Sequence, residues 1–158
     1  MLRPQTLAAV AQRAREAPPD FYTALNEFTD EFYLDHPDKA AQQRRIDPIP
    51  EPVGEPLIDA LIGAVGEHLA QRWGLSVPNW TQRPEHFALE EPRFLPNSRA
   101  LRAALIVESP PAFRSRLLFT GAEPLDRARF PNVARARVPL DWPPLPDEPE
   151  PAAVPSRA

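Results

Sequence analysis

The stretch LIDALIGAVGEHLAQRW, residues 57–73, decides the fold. Its apolar side chains recur every three or four residues, which is typical of a helix packed into a core. Pro56 before it and Gly74 after it are residues that commonly begin and end helices. Gly63 and Gly66 each lower helix propensity by roughly 1 kcal/mol relative to alanine, and we interpret them as positions where another helix approaches closely. The apolar stripe comprises Leu57, Ile58, Leu61, Ile62, Val65, Leu69 and Trp73.

Proline divides the rest of the chain, since 23 of its 158 residues are proline. Proline lacks an N–H and clashes inside a helix, so long helices fit only in proline-free windows. In the window 20–36, Phe21, Leu25, Phe28 and Phe32 share one helix face. The other windows that predict helices are 5–17, 38–47, 57–77, 97–109 and 112–123, and Ser109 is expected to cap the last of them.

Two connectors differ from ordinary loops. Residues 46–56 read IDPIPEPVGEP and predict an extended strap that packs through Ile46, Ile49 and Val53. Residues 75–96 carry many large apolar side chains, so we expect this connector to wrap around and cap the core.

These patterns predict an all-α fold: a small irregular helical bundle with proline-rich extended straps and a disordered C-terminal tail. A single helical domain is expected over residues 1–138. It consists of N-terminal helices in 1–45, the proline-rich strap 46–56 and a main helical part in 57–138. Residues 139–158, PLDWPPLPDEPEPAAVPSRA, are interpreted as a proline-rich acidic tail.

The composition excludes several classes of site. The chain has no cysteine, which rules out disulfides, thiol nucleophiles and cysteine–zinc sites. None of His36, His68 and His86 has another histidine or a cysteine at metal-ligand spacing. There is no glycine-rich phosphate loop and no apolar run long enough for a secretory signal or a membrane span. We therefore expect no enzyme activity, no cofactor, no metal, no membrane association and a cytoplasmic location.

Charge is distributed unevenly along the chain. Residues 1–90 carry a net charge of −6, residues 91–140 carry +5 and residues 141–158 carry −3. Such a split indicates interaction surfaces, or else helix faces that pair with each other inside the fold. The acids near the end of the second helix are interpreted as a solvated or partner-facing surface: Glu27, Asp30, Glu31, Asp35 and Asp38. The basic candidates are Arg99, Arg102, Arg114, Arg116, Arg127, Arg129, Arg135 and Arg137.

Arginine clusters bind phosphates or acidic protein faces. From this segment we predict a partner-binding site formed by Arg102, Arg114, Arg116 and Phe119, with Trp80 as an aromatic anchor. The alternative is that the arginines pair with the acidic N-terminal helices of the same chain.

The stretch from Glu55 to Arg129 resembles a domain of uncharacterised, actinobacterial-type proteins. The shared features are the helix and connector at 57–80, Phe87, the PAFRSRLLF segment at 111–119 and the LDRAR turn at 125–129. Such domains resemble the C-terminal parts of helix-turn-helix antitoxin-like proteins that are encoded beside nucleotidyltransferase-like toxins. This chain departs from them in showing no DNA-binding module.

The resemblance and the arginines together predict a non-catalytic protein-interaction module. Its expected role is that of the neutralising, antitoxin-like partner in a toxin–antitoxin-type pair, and the protein partner that the resemblance implies is a nucleotidyltransferase-like toxin. The alternative is a nucleic-acid-associated regulatory protein that uses the arginine-rich segment 93–137.

Overall fold

The computed structural model describes residues 2–131, so the expected tail at 139–158 and Arg135 and Arg137 lie outside the described residues. Apart from one pair of two-residue strands, the regular secondary structure of the described part is helical, which confirms the predicted all-α fold. The helices are α1 (Leu7–Glu16), α2 (Phe21–Leu34), α3 (Lys39–Ile46), α4 (Pro56–Trp73), α5 (Arg102–Glu108) and α6 (Pro111–Arg114). The strands are β1 (Arg93–Phe94) and β2 (Leu118–Phe119), and they pair in parallel. Within residues 2–131, no helix is both long enough and apolar enough to cross a bilayer.

Helix α4 is the centre of the fold. Twelve of its 18 residues are buried, including the middle of the predicted apolar stripe. The helix ends at Gly74, which adopts a left-handed conformation (φ 67°) that glycine reaches without steric cost. Helices α1, α3 and α6 and the connector after α4 all pack against it, so this one stretch of sequence organises the whole core.

Helix α2 confirms its predicted face. Phe21, Leu25, Phe28 and Phe32 are all buried, none more than 6% exposed. Arginines of α1, of α3 and of the segment before α1 pair with the acids on the rest of α2 and just beyond it. The ion pairs are Arg3–Glu31, Arg13–Glu27 and Arg45–Asp35. Asp38 instead caps α3, accepting a hydrogen bond from the backbone N–H of Ala41 at 3.1 Å. Much of the acidic surface is therefore neutralised within the fold.

The predicted strap 46–56 is slightly shorter in the structure: residues 47–55, between the end of α3 and the start of α4, form neither helix nor strand. The buried carboxylate of Asp59 fixes it by accepting hydrogen bonds from the backbone N–H groups of Val53 (2.7 Å) and Gly54 (3.0 Å). Ile46 is fully buried and Val53 packs against the core. Ile49 is 55% exposed, so the prediction that it packs the strap is wrong.

The two glycines of α4 allow another segment to pack closely against the helix, as predicted. That segment is the connector after α4, whereas a helix was predicted. A Cβ at Gly63 would lie 2.5 Å from the Cβ of His86, and one at Gly66 would lie 2.7 Å from Cη2 of Trp80. His86 and Trp80 belong to two 3₁₀ turns, Asn79–Gln82 and Pro84–Phe87, with which the connector caps α4. The expectation that residues 75–96 cover the core is thus confirmed for this part.

We expect Gly63→Ala to lower the free energy of unfolding by about 1–3 kcal/mol. The added methyl group would clash with the His86 Cβ, which is held by its backbone, and this cost exceeds the gain of about 1 kcal/mol in helix propensity. Chemical denaturation measures the change. Gly121→Ala is the matched control because a Cβ there would meet nothing within 4 Å. Equal stability of the two variants would contradict this close packing.

The window 112–123 contains less helix than predicted. Helix α6 ends at Arg114, and Leu117 then adopts a left-handed conformation (φ 61°) that turns the chain into β2. Ser109 does not cap α6. Its hydroxyl donates to the Leu105 carbonyl and accepts a hydrogen bond from the Thr120 N–H at 2.8 Å, which ties α5 to the end of β2.

The last described residues close the core against α2. The Tyr33 hydroxyl donates a 2.6 Å hydrogen bond to the Leu125 carbonyl, and burial raises the pKa of Tyr33, so the group remains a neutral donor. Arg127 forms two hydrogen bonds with Asp30, at 2.8 and 3.0 Å. The Phe130 ring packs against Tyr33 and Trp73. The C-terminal end of the described chain is therefore fastened to the N-terminal half.

Candidate interaction surface

Helix α5 buries little of its apolar side. Leu105 points inward and is 5% exposed, whereas Leu101, Ile106 and Val107 are 47%, 46% and 77% exposed. Arg99 and Arg102 are exposed beside them. We define the α5 surface as Arg99, Leu101, Arg102, Ile106 and Val107. Exposed large apolar side chains with arginines beside them have the composition of a protein interface.

A cleft of about 600 Å³ adjoins this surface. We name it the β1 cleft, because β1 and its flanking residues form most of its wall. Arg93 and Arg102 supply two exposed positive charges, and Glu91 supplies one negative charge. Among residues 2–131, neither arginine forms an ion pair. The cleft is lined by Leu57, Glu91, Pro92, Arg93, Phe94, Leu95, Asn97 and Arg102.

Phe94 contacts both Arg102 and Phe119, two of the predicted site residues, and so links them. The guanidinium of Arg102 lies 4.9 Å from the centroid of the Phe94 ring. The Phe94 ring in turn stacks on that of Phe119, with centroids 5.1 Å apart and planes inclined by 23°. This stack follows from the strand register, which places Phe94 opposite Phe119. Cation–π contacts at exposed sites contribute about 0.5–1 kcal/mol, so the stack holds Arg102 at the rim of the cleft.

Arg114, the last residue of α6, lies near the C-terminal end of α5. It is exposed, and its Nη2 donates a 2.9 Å hydrogen bond to the Ser109 carbonyl. It lines a shallow depression of about 450 Å³ together with Val107, so it extends the α5 surface on the far side from the β1 cleft. Arg102, Phe119 and Arg114 therefore all lie near α5, and whether they form a partner-binding site stays a prediction.

Arg116 belongs to the interior, and the prediction that it contacts a partner is wrong. Its side chain has no exposed area. It donates hydrogen bonds to the Glu67 carboxylate (2.6 Å) and to the carbonyls of Ala112 and Thr81 (2.7 Å each). Its guanidinium lies 4.2 Å from the Phe87 ring centroid. Desolvation lowers the pKa of Arg116 and the hydrogen bond to Glu67 opposes that change, so this cation serves to join α4, α6 and the connector.

Trp80 is also interior, so its predicted role as a partner anchor is wrong. It is 3% exposed and its ring lies against Gly66. Its indole N–H donates a 2.9 Å hydrogen bond to the Ile46 carbonyl, and its ring meets His86 edge-on with centroids 5.3 Å apart. Trp80 anchors the connector to α4 and to the start of the strap.

The remaining arginines divide into two groups. Arg127 pairs with Asp30, and this hydrogen-bonded partner is the main reason that the pKa of Asp30 is lowered. The alternative that arginines pair with the acidic N-terminal helices therefore holds for Arg127. Arg93, Arg99 and Arg102 have no ion pair with any residue of the described range. In the described part of segment 93–137, these three, Arg114 and Arg129 are the exposed arginines that form no ion pair with residues 2–131.

Sequence analysis did not single out Arg93, Phe94, Ile106 or Val107 as site residues. A signal for the last two was present. Relative to the buried Leu105, Ile106 and Val107 fall about 100° and 200° around the helix axis. Large apolar side chains outside the buried face of a helix are typical of a helix that also contacts a second element or a partner. Phe94 and Arg93 carried no such signal, because only the β1–β2 pairing places them beside α5.

The buried His68, near Arg114, makes the stability of the fold depend on pH. It is 6% exposed and packs edge-on against Phe113, and burial, with Arg72 nearby, lowers its pKa to about 4. An unfolded histidine titrates near pH 6.5. Because the unfolded chain binds the proton more tightly, the stability contribution of neutral His68 is present above about pH 6.5 and is lost as pH falls towards 4.

We expect the free energy of unfolding to fall between pH 7.5 and 4.5 by about 2–3 kcal/mol more in the wild type than in His68→Leu. Leucine cannot titrate, so the difference between the two pH profiles isolates His68 from the carboxylates. Denaturant unfolding across this range measures both profiles. Parallel profiles would contradict a buried neutral histidine.

In residues 2–131, no group of three or more histidine or acidic side chains is arranged to hold a metal ion. Comparison with known proteins adds no family: no protein-family model, no curated protein and no solved structure matches the chain.

Proposed function

We propose that this chain is a non-catalytic protein-interaction module that binds an acidic partner through the α5 surface. The observation that carries the proposal is the exposure of Ile106 and Val107 on α5 and of Leu101 in the turn just before it, with exposed arginines beside them. Fully burying one such apolar side chain contributes roughly 1.5–3 kcal/mol. The arginines provide orientation and speed of association with an acidic surface.

The specific role that we propose is that of the neutralising partner in a toxin–antitoxin-type pair. Its support is the resemblance of residues 55–129 to antitoxin-like domains encoded beside nucleotidyltransferase-like toxins. An interface of ordinary size covers about 800 Å² on each partner. This area exceeds that of one seven-residue helix, so a partner on the α5 surface also has to cover the neighbouring residues, among which Arg114 is the next exposed cation.

An affinity pull-down of the tagged full chain from its native cells, with and without nuclease, tests the interaction. We expect a stoichiometric protein that is retained after nuclease treatment and lost with Ile106→Glu/Val107→Glu. The matched control is Leu34→Glu, since Leu34 is 56% exposed on a different helix, α2. A protein captured equally by all three forms would contradict binding through α5.

The antitoxin-like role has its own test once such a protein is identified. Expression of that protein alone should arrest growth, and co-expression of the wild-type chain should restore it. The Ile106→Glu/Val107→Glu variant should fail to restore growth at equal abundance. A captured protein that does not impair growth would leave the interaction module standing but refute neutralisation.

A second candidate function is nucleic-acid-associated regulation by the segment 93–137. The observation in its favour is that Arg93, Arg99 and Arg102 are exposed and form no ion pair with residues 2–131. Three phosphate contacts predict that log K falls with log salt with a slope of about −2.7 for duplex DNA, from about −0.9 per contact. Capture of nucleic acid, with protein partners lost after nuclease treatment, would favour this function.

A further inference from the structure

We propose that the β1 cleft binds the acidic, proline-rich segment 139–150 of the same chain. This segment reads PLDWPPLPDEPE and carries four acids and no base. The rim of the cleft carries Arg93 and Arg102 against the single acid Glu91. The charges are therefore complementary, and the two arginines have no ion pair inside the described part of the chain that would compete. The inference concerns the chain alone and does not depend on the proposed partner.

The walls of the cleft suit an extended, proline-rich segment. Arg93 and Leu95 direct their N–H groups to the Leu117 and Phe119 carbonyls of β2. Because hydrogen bonding alternates along a strand, the N–H and C=O of Phe94 point away from β2 and are available to an added segment. Leu57, Pro92 and Phe94 provide an apolar floor of the kind that receives prolines and aromatic rings. In segment 139–150, Trp142 and Leu145 are the large apolar side chains that such a floor can receive.

The segment is long enough to reach the cleft. The described chain ends beside Trp73, since the Phe130 ring contacts the Trp73 ring at 5.4 Å. The cleft includes Leu57, at the opposite end of α4 and about 24 Å away at 1.5 Å per residue. Ten extended residues, 132–141, span up to about 33–36 Å. Trp142 can therefore enter the cleft, and a polyproline-like segment loses little conformational freedom in doing so.

The absence of cysteine makes disulfide trapping a direct test. Asn97 lines the cleft and is exposed, so Asn97→Cys is combined with Pro143→Cys in the full chain. The matched control combines Pro143→Cys with Gln71→Cys. Gln71 is also exposed and lies next to Arg72, whose guanidinium contacts Phe130, so it is nearer to the point where the chain leaves the described part. An unbound segment would reach Gln71 at least as often as Asn97.

We expect the Asn97 pair to form its intrachain disulfide about tenfold faster than the Gln71 pair, because binding raises the local concentration of the second thiol. The rate should not depend on protein concentration. It should fall to the control rate with Arg93→Glu/Arg102→Glu, and at about 1 M salt, where the Debye length is about 3 Å. Adding Asp147→Lys/Glu148→Lys to the arginine variant should restore it.

Equal trapping rates for the two pairs would overturn the proposal. Disulfides that form only between chains, at a rate that rises with concentration, would also overturn it and would point to a second copy as the occupant. Both arginines are exposed, so their replacement should leave the thermal unfolding midpoint within a few degrees of wild type. That measurement separates lost docking from lost folding.

Discussion

Arg116→Ala is expected to lower the free energy of unfolding by about 3–5 kcal/mol. The substitution leaves the Glu67 carboxylate with only the neutral donors Gln71 and Gln82 in place of its cationic partner. It also removes the donors to the Thr81 and Ala112 carbonyls. Glu67 is only 17% exposed in the side chain, so water replaces the lost partner incompletely. Urea unfolding followed by circular dichroism measures the change.

Two further variants show why Arg116 matters. Arg114→Ala, only two residues away but exposed, should cost no more than about 1 kcal/mol, because it loses a single hydrogen bond that water can replace. Arg116→Met combined with Glu67→Leu should be less destabilising than Arg116→Ala, because no unpaired charge remains buried. If Arg116→Ala abolished partner binding while stability stayed unchanged, the interior role would be refuted.

Trp80→Ala is also expected to lower the free energy of unfolding by about 3–5 kcal/mol. The substitution empties the space against Gly66 and removes the hydrogen bond to the Ile46 carbonyl. Trp80→Phe keeps most of the ring volume and should cost less than Trp80→Ala, mainly through the lost hydrogen bond. Denaturant unfolding with a probe other than Trp80 fluorescence compares the three proteins.

Gly66 supplies an independent check on this packing. In the wild type, Gly66→Ala places a Cβ 2.7 Å from Cη2 of Trp80 and should destabilise the protein. In the Trp80→Ala background the same change should be much less destabilising, because only the 3.1 Å approach to Cγ2 of Thr81 then opposes the gain in helix propensity. Additive effects of the two substitutions would contradict direct contact between the positions.

The fold was largely predictable because its signals are local. Proline positions limited the helices, and the stripe of α4 and the face of α2 follow from apolar spacing alone. The parallel pairing of β1 with β2 was not predictable, since strands of two residues leave no periodic pattern. The sequence predicted that another element packs closely against Gly63 and Gly66. It did not indicate that this element is a pair of 3₁₀ turns and not a helix.

The candidate site was less predictable than the fold. Arg114 and Arg116 are two residues apart with the same chemistry, yet one is exposed and the other has no exposed side-chain area. What separates them is the turn after α6, where Leu117 takes a left-handed conformation. Burial of a cation depends on partners distant in sequence, here Glu67 and Thr81, and composition carries no record of such pairings.

The fastening of α2 to the last described residues has a consequence for biosynthesis. During synthesis, Tyr33 emerges 92 residues before its hydrogen-bond partner Leu125, and Asp30 emerges 97 residues before Arg127. At about 5–20 residues per second, the ribosome takes roughly 5–20 s to supply these partners. During that interval the nascent chain lacks the contacts that seal one side of α2. One side of α2 is therefore accessible to chaperones for most of the synthesis of the chain. In a bundle whose contacts join helices adjacent in sequence, that side would be covered earlier.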